Sequence, residues 1–366
     1  MHVFLRNASL LLATTLAFGA CSDDDNDADN GAGTQAAGFI SQNLLSDQQG
    51  VAINTSANVV NAWGLAMDGQ SFWLANNGTG VVSVIAPDGS PSKFAPATSS
   101  VNAGPGITGI VRNSTGAFMI GSSNNRAAAQ MLVASETGQI FGINPNVSGT
   151  PQVVIDNSAA GAIYKGLAIW NASDGSVRLG AADFHNGRID VWDGNFQPIA
   201  SVTFVDPTLT EGLAPFNIVA INRNLYVTFA VQDADKEDDV PGVGNGRIDV
   251  FDIDGNFSTV LLDRDGLNSP WGMALASNNF ATDLGNQLIV GNFGDGTLLA
   301  VDPSSGASSQ LKTPSGNPVV IPGVWGLQFG SGGSLGSSSA LYFASGPSGE
   351  QHGLYGRIFL STLNVP

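Results

Sequence analysis

The chain has 366 residues, of which 43% are hydrophobic, only 12% are charged and 47 are glycine. This balance excludes a disordered chain and fits a well-buried all-β protein with a polar, glycine-rich surface. The net charge of −17 argues against nucleic-acid binding, because such a surface repels phosphate groups. The single cysteine excludes an internal disulfide framework.

The first 20 residues have the segment order of a lipoprotein signal peptide. Arg6 precedes an apolar run over residues 8–17, which is too short to span a bilayer. Phe18-Gly19-Ala20-Cys21 then resembles a bacterial lipobox, which makes Cys21 the predicted lipidation site; the alternative is a buried cysteine in a first strand. Ser22 after the cysteine implies an anchor in the outer membrane of a Gram-negative bacterium. We therefore expect an extracytoplasmic protein that contacts the membrane only through this anchor.

Residues 21–38 contain mainly Asp, Asn, Gly and Ala, which predicts a disordered acidic tether. A repeat follows over residues 39–366. The sequence Gly-Arg-Ile-Asp-Val occurs at residues 187–191 and again at 246–250. A glycine opens a comparable short apolar run in each of six units, at Gly80, Gly138, Gly187, Gly246, Gly296 and Gly356. Such units predict a six-bladed β-propeller with four-stranded antiparallel blades.

Each predicted blade begins with an apolar inner strand that contains or adjoins glycine. In blade 2 the second strand could be residues 118–120 or 131–134, and the length of the following turn favours 131–134. Residues 39–45 precede blade 1, so we expect them to close the ring as the outer strand of blade 6. Packing is favoured over a ligand platform for Trp63, Trp271 and Trp325. Arg188 and Arg247, which follow the glycine in the two copies of Gly-Arg-Ile-Asp-Val, are predicted to be surface groups.

The repeats resemble those of a family of uncharacterised bacterial secreted β-propellers with NHL-like repeats. The resemblance covers residues 39–363, and its more specific parts are residues 61–65, 233–239 with 244–246, 269–272, 291–296 and 346–353. More distantly, the architecture is similar to that of gluconolactonase-like six-bladed enzymes. The resemblance implies a fold and a secreted location, and it brings no established activity.

The turns between second and third strands lie on one face of a propeller, and here they are rich in polar side chains. The candidate metal or ligand residues are Glu136, Asp183, His185, Asp233, Asp235, Asn292, Asp295, Glu350 and His352. Oxygen ligands suit calcium or magnesium, and histidines suit zinc or manganese; calcium is the favoured cation. The alternative is that Asn and Asp only serve tight turns. That alternative explains the two histidines poorly.

The turn over residues 233–246 is the most acidic segment of the predicted propeller. A calcium ion would relieve the repulsion among its five carboxylates, although the spacing is not that of an EF-hand. The equal alternative is a solvated acidic flap. Lys165 is predicted to face the channel mouth in a structural ion pair. The five candidate calcium ligands are Asp233, Asp235, Glu237, Asp238 and Asp239.

The sequence therefore predicts a monomeric binding module of the cell envelope, with a protein or saccharide ligand and with or without a divalent cation. One alternative is a metal-dependent hydrolase of the lactonase or esterase type. That alternative requires Asp183, His185, Glu350 and His352 to converge on an ion. The other alternative is an envelope scaffold without a small-molecule site.

Overall fold

A computed structural model describes residues 37–93, 100–104 and 106–361. The predicted signal peptide, Cys21 and nearly all of the tether lie outside these residues. Besides strands, the described chain has two single-turn 3-10 helices, Ser158–Ala160 and Gly333–Leu335, and none of its helices has the length and apolar character needed to cross a membrane. The strands in chain order are β1 (Gly38–Ser46), β2 (Asn54–Thr55), β3 (Ala62–Met67), β4 (Phe72–Asn76), β5 (Val81–Ile85), β6 (Ser100–Asn102), β7 (Ile107–Arg112), β8 (Met119–Ser122), β9 (Asn125–Ala128), β10 (Met131–Ser135), β11 (Gln139–Ile143), β12 (Gln152–Asp156), β13 (Tyr164–Asn171), β14 (Val177–Asp183), β15 (Arg188–Asp193), β16 (Leu213–Ile221), β17 (Asn224–Val231), β18 (Arg247–Asp252), β19 (Phe257–Asp263), β20 (Pro270–Leu275), β21 (Leu288–Asn292), β22 (Leu298–Val301), β23 (Ser308–Gln310), β24 (Val324–Phe329), β25 (Ala340–Ser345) and β26 (Leu354–Ser361).

These strands form six small antiparallel sheets in a ring, so the predicted six-bladed propeller is confirmed. Blades 1 to 6 have the inner strands β3, β7, β13, β16, β20 and β24. Each inner strand contacts the next, and β24 contacts β3, which closes the ring. The N-terminal strand β1 pairs antiparallel with β26 as the outer strand of blade 6, as predicted.

Blade 2 matches the strand order predicted from the sequence, whereas blade 3 does not. In blade 2 the second strand is β10, as favoured, because it pairs with β7 on one side and β11 on the other; β8 and β9 form a separate hairpin. The prediction of four strands in every blade is wrong for blade 3. Within the described residues that blade contains only β13, β14 and β15.

Close contact between inner strands explains the glycine near the start of five of the six inner strands. Gly64, Gly109, Gly272 and Gly326 each face the backbone of the next inner strand, so closely that an added Cβ would touch or overlap it. Blade 4 has Asn217 at this position instead, and its Nδ2 donates a hydrogen bond to the Trp271 carbonyl at 2.8 Å. The inner strands therefore approach to backbone contact around the axis.

The residues just before these glycines fill the centre of the ring. Trp63 and Trp325 stack with ring centroids 3.8 Å apart, and Trp271 packs against both with its ring nearly perpendicular to that of Trp325. Phe216 and Phe293 also pack on Trp325. The prediction of a packing role for the tryptophans is confirmed, but they pack on one another at the axis as well as between blades.

One backbone hydrogen bond recurs in all six blades and positions the turns. The first residue after each second strand donates its N–H to the carbonyl of a residue just before the inner strand of the same blade. In blade 1 Asn77 donates to Asn61 at 2.8 Å, and in blade 5 Phe293 donates to Ser269 at 3.0 Å. The acceptors in blades 2, 3, 4 and 6 are Gly106, Ile163, Gly212 and Gly323. This bond ties the polar turns to the rim of the central channel.

The two Gly-Arg-Ile-Asp-Val strands have different surroundings. Arg188 is 51% exposed, whereas Arg247 is 3% exposed and bonds to Asp206 and Asp249. The prediction that both arginines are surface groups is therefore wrong for Arg247. Burial raises the pKa of Asp249 to about 7, although Arg247 opposes this effect.

We predict that Gly272→Ala destabilises the fold by about 2 kcal/mol or more, because its Cβ would overlap the Trp325 carbonyl and force the inner strands apart. Gly149→Ala is the matched control, since nothing lies within contact distance of that position. Urea unfolding monitored by tryptophan fluorescence measures both. Equal stabilities of the two variants would contradict the proposed contact.

We also predict a pH-dependent contribution from Asp249. Its folded-state pKa is raised above its unfolded value, so the folded state holds the proton more tightly, and the contribution is lost as pH rises from about 4 to about 7. The full effect is roughly 4 kcal/mol at most. Asp249→Asn should remove this slope, as measured by urea unfolding at pH 5 and pH 7. Asp190→Asn, in the other copy of the motif, controls for losing one carboxylate; a slope unchanged in Asp249→Asn would refute the assignment.

Candidate functional site

A polar cavity of about 310 Å³ opens at the end of the central channel where the inner strands begin. We call it the mouth. Turns and strand starts from blades 1, 2, 3, 4 and 6 contribute to it. Its lining residues are Asn61, Trp63, Asn77, Glu136, Ile163, Glu237, Asp238 and Glu350. The mouth thus brings together four of the predicted ligand candidates from three blades, namely Glu136, Glu237, Asp238 and Glu350.

Lys165 is a buried cation beneath the mouth. Its side chain is 1% exposed, and its Nζ lies 2.5 Å from Glu136 Oε1 and 3.2 Å from Asp238 Oδ1. The ammonium also lies 5.2 Å from the ring centroid of Trp63. Burial lowers the pKa of Lys165, but attraction by the two carboxylates outweighs burial and raises it overall. The predicted ion pair is confirmed, and it links blades 2, 3 and 4.

The acidic turn over residues 233–246, which we call the flap, is anchored at this lysine. Asp238 reaches Lys165 although its own side chain is 74% exposed. The neighbouring Asp239 is largely buried, and burial raises its pKa while Ser269 and Lys165 oppose that shift. Gly242 N–H donates to Asn268 Oδ1 at 2.7 Å, which fastens the far side of the flap. The flap is therefore attached to its surroundings at Asp238 and at Gly242, both in the second half of the turn.

Two acceptor oxygens at the mouth lack a hydrogen-bond donor. Asn61 is 5% exposed, and its Oδ1 has no partner, while its Nδ2 donates to Asn77 Oδ1 at 3.3 Å. Glu350 Oε1 also lacks a partner. Burial raises the pKa of Glu350, the neighbouring polar side chain of Asn61 opposes this shift, and the charge of Glu136 reinforces it. An unpaired buried acceptor costs about 1–3 kcal/mol, so this part of the mouth favours a group that donates hydrogen bonds.

The other candidates from blade 3 and blade 6 serve local contacts. Asp183 accepts hydrogen bonds from Asn186 and forms an ion pair with Arg188 at 3.5 Å, and burial raises its pKa. The ring of His185 lies near Gly161. His352 Nδ1 lies 2.8 Å from Asp47 Oδ2, which follows β1. These contacts differ from those of Glu350, so the structure does not show the convergence that the hydrolase alternative requires.

The remaining candidates behave as turn residues. Asn292 Nδ2 donates to the Gly266 carbonyl at 2.8 Å, and Asp295 Oδ1 accepts from the Thr297 amide at 2.9 Å. Asp233 Oδ1 accepts from the Glu237 amide at 2.9 Å, and Asp235 is exposed on the flap. Among the residues that the structure describes, no group of three or more His, Cys, Asp or Glu side chains is arranged to hold a metal ion. The cation remains a prediction.

Asn61 was missed as a candidate by sequence reasoning. It precedes the Trp-Gly pair of blade 1 and has a positive φ of 48°. Ser269, at the corresponding position of blade 5, has the same positive φ of 48°. Blade 6 has Gly323 there, with a φ of 66°. The backbone conformation therefore belongs to the repeat. The sequence signal for Asn61 was therefore a polar residue at a repeat position where another blade has glycine.

No protein-family profile matches the chain. Two uncharacterized proteins of Acanthamoeba polyphaga mimivirus are each 30% identical to it. One matches over 293 residues, 78% of this chain and 72% of its own length. The other matches over 295 residues, 78% of this chain and 77% of its own length. These relatives are viral, so they give no support to the bacterial part of the resemblance.

Solved structures share the fold at low identity. A glucose dehydrogenase has a TM-score of 0.51 at 11% identity, covering 87% of this chain and 99% of that chain. A luciferin-regenerating enzyme has a TM-score of 0.50 at 12% identity, covering 88% and 95%. At these identities the likeness shows the fold alone.

We predict that Lys165→Met loosens the flap. The change leaves Glu136 and Asp238 without their cation, and it should cost about 2–3 kcal/mol because both carboxylates keep some access to water. Amides of residues 233–246 should exchange at least about tenfold faster in hydrogen–deuterium exchange.

Lys236→Met, at an exposed lysine of the flap, is the matched control. Adding Glu136→Gln to Lys165→Met should restore part of the stability, because it removes one unpaired charge. Unchanged exchange of the flap in Lys165→Met would show that the ion pair does not anchor it.

Proposed function

The chain belongs to the same family as these two uncharacterized mimivirus proteins, and we propose that it is a binding protein for a small, neutral, polyhydroxylated ligand of the saccharide class. The ligand would sit in the mouth. The observation that carries the proposal is the pair of buried acceptors without donors, Asn61 Oδ1 and Glu350 Oε1. Ligand hydroxyl groups would supply the missing hydrogen bonds, since a binding site gains most where its own polar groups are otherwise unpaired.

The rest of the lining suits the same ligand class. A sugar hydroxyl both donates and accepts, and the mouth offers carboxylates that accept and amides that do both. Trp63 adds an aromatic surface among these polar groups. A cavity of about 310 Å³ is at the small end of the range for small-molecule sites.

Charge selects against acidic ligands. Glu136, Glu237, Asp238 and Glu350 line the mouth, and Lys165 is the cation that faces two of them. An anionic sugar would meet an excess of negative charge in a partly buried site, which is unfavourable. A neutral sugar avoids this repulsion.

The metal-dependent hydrolase alternative has weaker support. Its four required residues make separate local contacts, with Asp183 bound to Arg188 and His352 bound to Asp47. One fold neighbour is named for glucose, but its 11% identity carries nothing beyond the fold. The proposal therefore rests on the mouth itself. An extracytoplasmic, lipid-anchored location is a separate proposal that rests on the first 21 residues.

The test is a binding screen on the purified full chain with neutral hexoses and disaccharides, namely glucose, galactose, mannose, maltose, lactose and cellobiose. Glucuronate and galacturonate serve as acidic counterparts. We expect at least one neutral sugar to bind by isothermal titration calorimetry and its acidic counterpart to bind at least about tenfold more weakly. Absence of binding by every neutral sugar at millimolar concentration would refute the proposal.

We predict opposite effects of Glu350→Gln on stability and binding. An amide at this position can donate a hydrogen bond to Asn61 Oδ1, so the free energy of unfolding of the variant should be about 1 kcal/mol higher. The same change removes an acceptor for the ligand and should weaken sugar binding at least about tenfold. Glu237→Gln, an exposed residue of the same lining, is the control and should change stability little. If Glu350→Gln binds the sugar as tightly as the unaltered chain does, the two acceptors without donors are not the recognition site.

A further inference from the structure

In the part of the chain that the structure describes, blade 3 has no fourth strand along its outer edge. Each of the other five blades has a fourth strand next to its third, namely β6, β12, β19, β23 and β1. In blade 3, by contrast, no described strand pairs with the outer side of β15. An edge strand of this kind presents backbone groups that another extended chain can bind.

Hydrogen bonds at the C-terminal end of β15 show which of its backbone groups face the outer side. The Val191 carbonyl accepts from the Ile199 amide at 2.8 Å, and the Asp193 amide donates to the Gln197 carbonyl at 2.8 Å. The N–H and C=O of one strand residue point to the same side, and alternate residues share that side. The Val191 amide and both backbone groups of Ile189 therefore face outward. Within the described ranges of the chain, no backbone hydrogen bond of a turn or loop uses these three groups.

A groove of about 490 Å³ runs along this edge. β15 forms one wall, and residues 198–203 form the other. Apolar groups from Ile189, Val191 and Trp192 lie on the strand side, with Ile199 and Val202 opposite. The groove is thus bounded on both sides and partly apolar.

Blade 4 shows what covers the same sequence. Its third strand, β18, begins with the same Arg-Ile-Asp-Val, and β19 pairs with it antiparallel. Asp263 lies opposite Arg247, Leu262 lies opposite Ile248, and Val260 lies opposite Asp249. This outer strand supplies one acid for the arginine and apolar residues for the strand.

The chain begins to do the same in blade 3 and then departs. Pro198 bridges to Trp192, and the Ile199 amide reaches Val191, but the chain turns away at residues 200–201. Asp206 then binds Arg247 of blade 4 rather than Arg188. Consequently Arg188 stays 51% exposed, whereas its counterpart Arg247 is 3% exposed.

We propose that the open edge of β15 binds an extended peptide segment of a partner protein, antiparallel to β15, with apolar residues over Ile189 and an acidic residue opposite Arg188. The peptide takes the place that residues 260–263 occupy on β18, because Ile199 already bonds to the carbonyl of Val191, the counterpart of the residue opposite Thr259. Main-chain hydrogen bonds give the affinity, as in other strand-addition sites. The half-exposed guanidinium of Arg188, which also contacts Asp190 at 2.7 Å and Asp183 at 3.5 Å, selects the acid. This site lies at the perimeter and does not depend on the ligand of the mouth.

A single strand fits this groove better than a second copy of the chain. Residues 198–203 stand beside the edge in every copy, so two β15 edges would have to pair across two such walls. A free peptide enters between the wall and the strand without this obstacle. The peptide is therefore the occupant to test.

The probe is a fluorescein-labelled peptide with the sequence of residues 258–263 of this chain, Ser-Thr-Val-Leu-Leu-Asp, titrated into the full-length protein by fluorescence anisotropy. In the register of blade 4, the backbone of its fifth residue faces the strand, and that of its sixth faces away. N-methylation at the fifth residue should weaken binding at least about tenfold, whereas N-methylation at the sixth should change it less than about threefold. Equal effects of the two methyl groups, or no binding at millimolar peptide, would overturn the proposal.

Arg188→Ala tests the side-chain part of the recognition. The unaltered protein should prefer the peptide ending in Asp over the same peptide ending in Asn, and the variant should lose this preference. A preference that survives in Arg188→Ala would show that the arginine does not read the acid, and would overturn the proposed register.

Amide exchange decides whether something else already covers the edge. In the free full-length protein the amides of Ile189 and Val191 should exchange rapidly, and the peptide should protect both. Slow exchange without peptide would mean that another segment of this chain or a second copy is the occupant, which would overturn the proposal. Analytical ultracentrifugation at the same concentration separates those two cases.

Discussion

Backbone contact between neighbouring inner strands is the constraint on which this propeller depends. At Gly272 and Gly326 the next strand lies where a side chain would begin, so the ring can close only with glycine there or with a side chain that bonds across the gap, as Asn217 does. Once the strands are this close, the space on the axis holds little more than a few stacked rings. Trp63, Trp271 and Trp325 fill it. Of these three rings, Trp63 lines the mouth.

The charge of the mouth depends on one position of the repeat. Blades 1, 5 and 6 place tryptophan before the inner-strand glycine, whereas blade 3 places Lys165 there. A cation buried at the axis needs carboxylates within reach, and Glu136 and Asp238 supply them from two other blades. Further carboxylates at the mouth then lack a cation of their own. Burial accordingly raises the pKa of Glu350 and of Asp239.

The period of the repeat was enough to predict the fold, including closure by β1 and the second strand of blade 2. These features depend on local pattern and on the geometry of a closed ring. The environment of a given residue depended on segments that the repeat does not specify. Arg188 and Arg247 begin strands that share the sequence Arg-Ile-Asp-Val, yet only Arg247 is buried, because Asp206 and Thr208 from the preceding loop bind it. Asp47 and His352 lie near opposite ends of the propeller sequence, and their contact forms only because the ring closes within blade 6. The sequence pattern alone could not predict this pair.

Blade 3 departs from the repeat at both of its ends without losing its place in the ring. Its two faces are buried against blades 2 and 4, with Leu179 in one core cluster and Trp170 in the next. Such face-to-face packing stabilises a three-stranded blade without an outer strand, because most of its apolar area is covered by its neighbours rather than by its own edge. The inner end can therefore carry a lysine, and the outer edge can stay open, as two independent changes. The axis and the perimeter of one blade thereby become separate surfaces, one suited to a small polar molecule and the other to an extended chain.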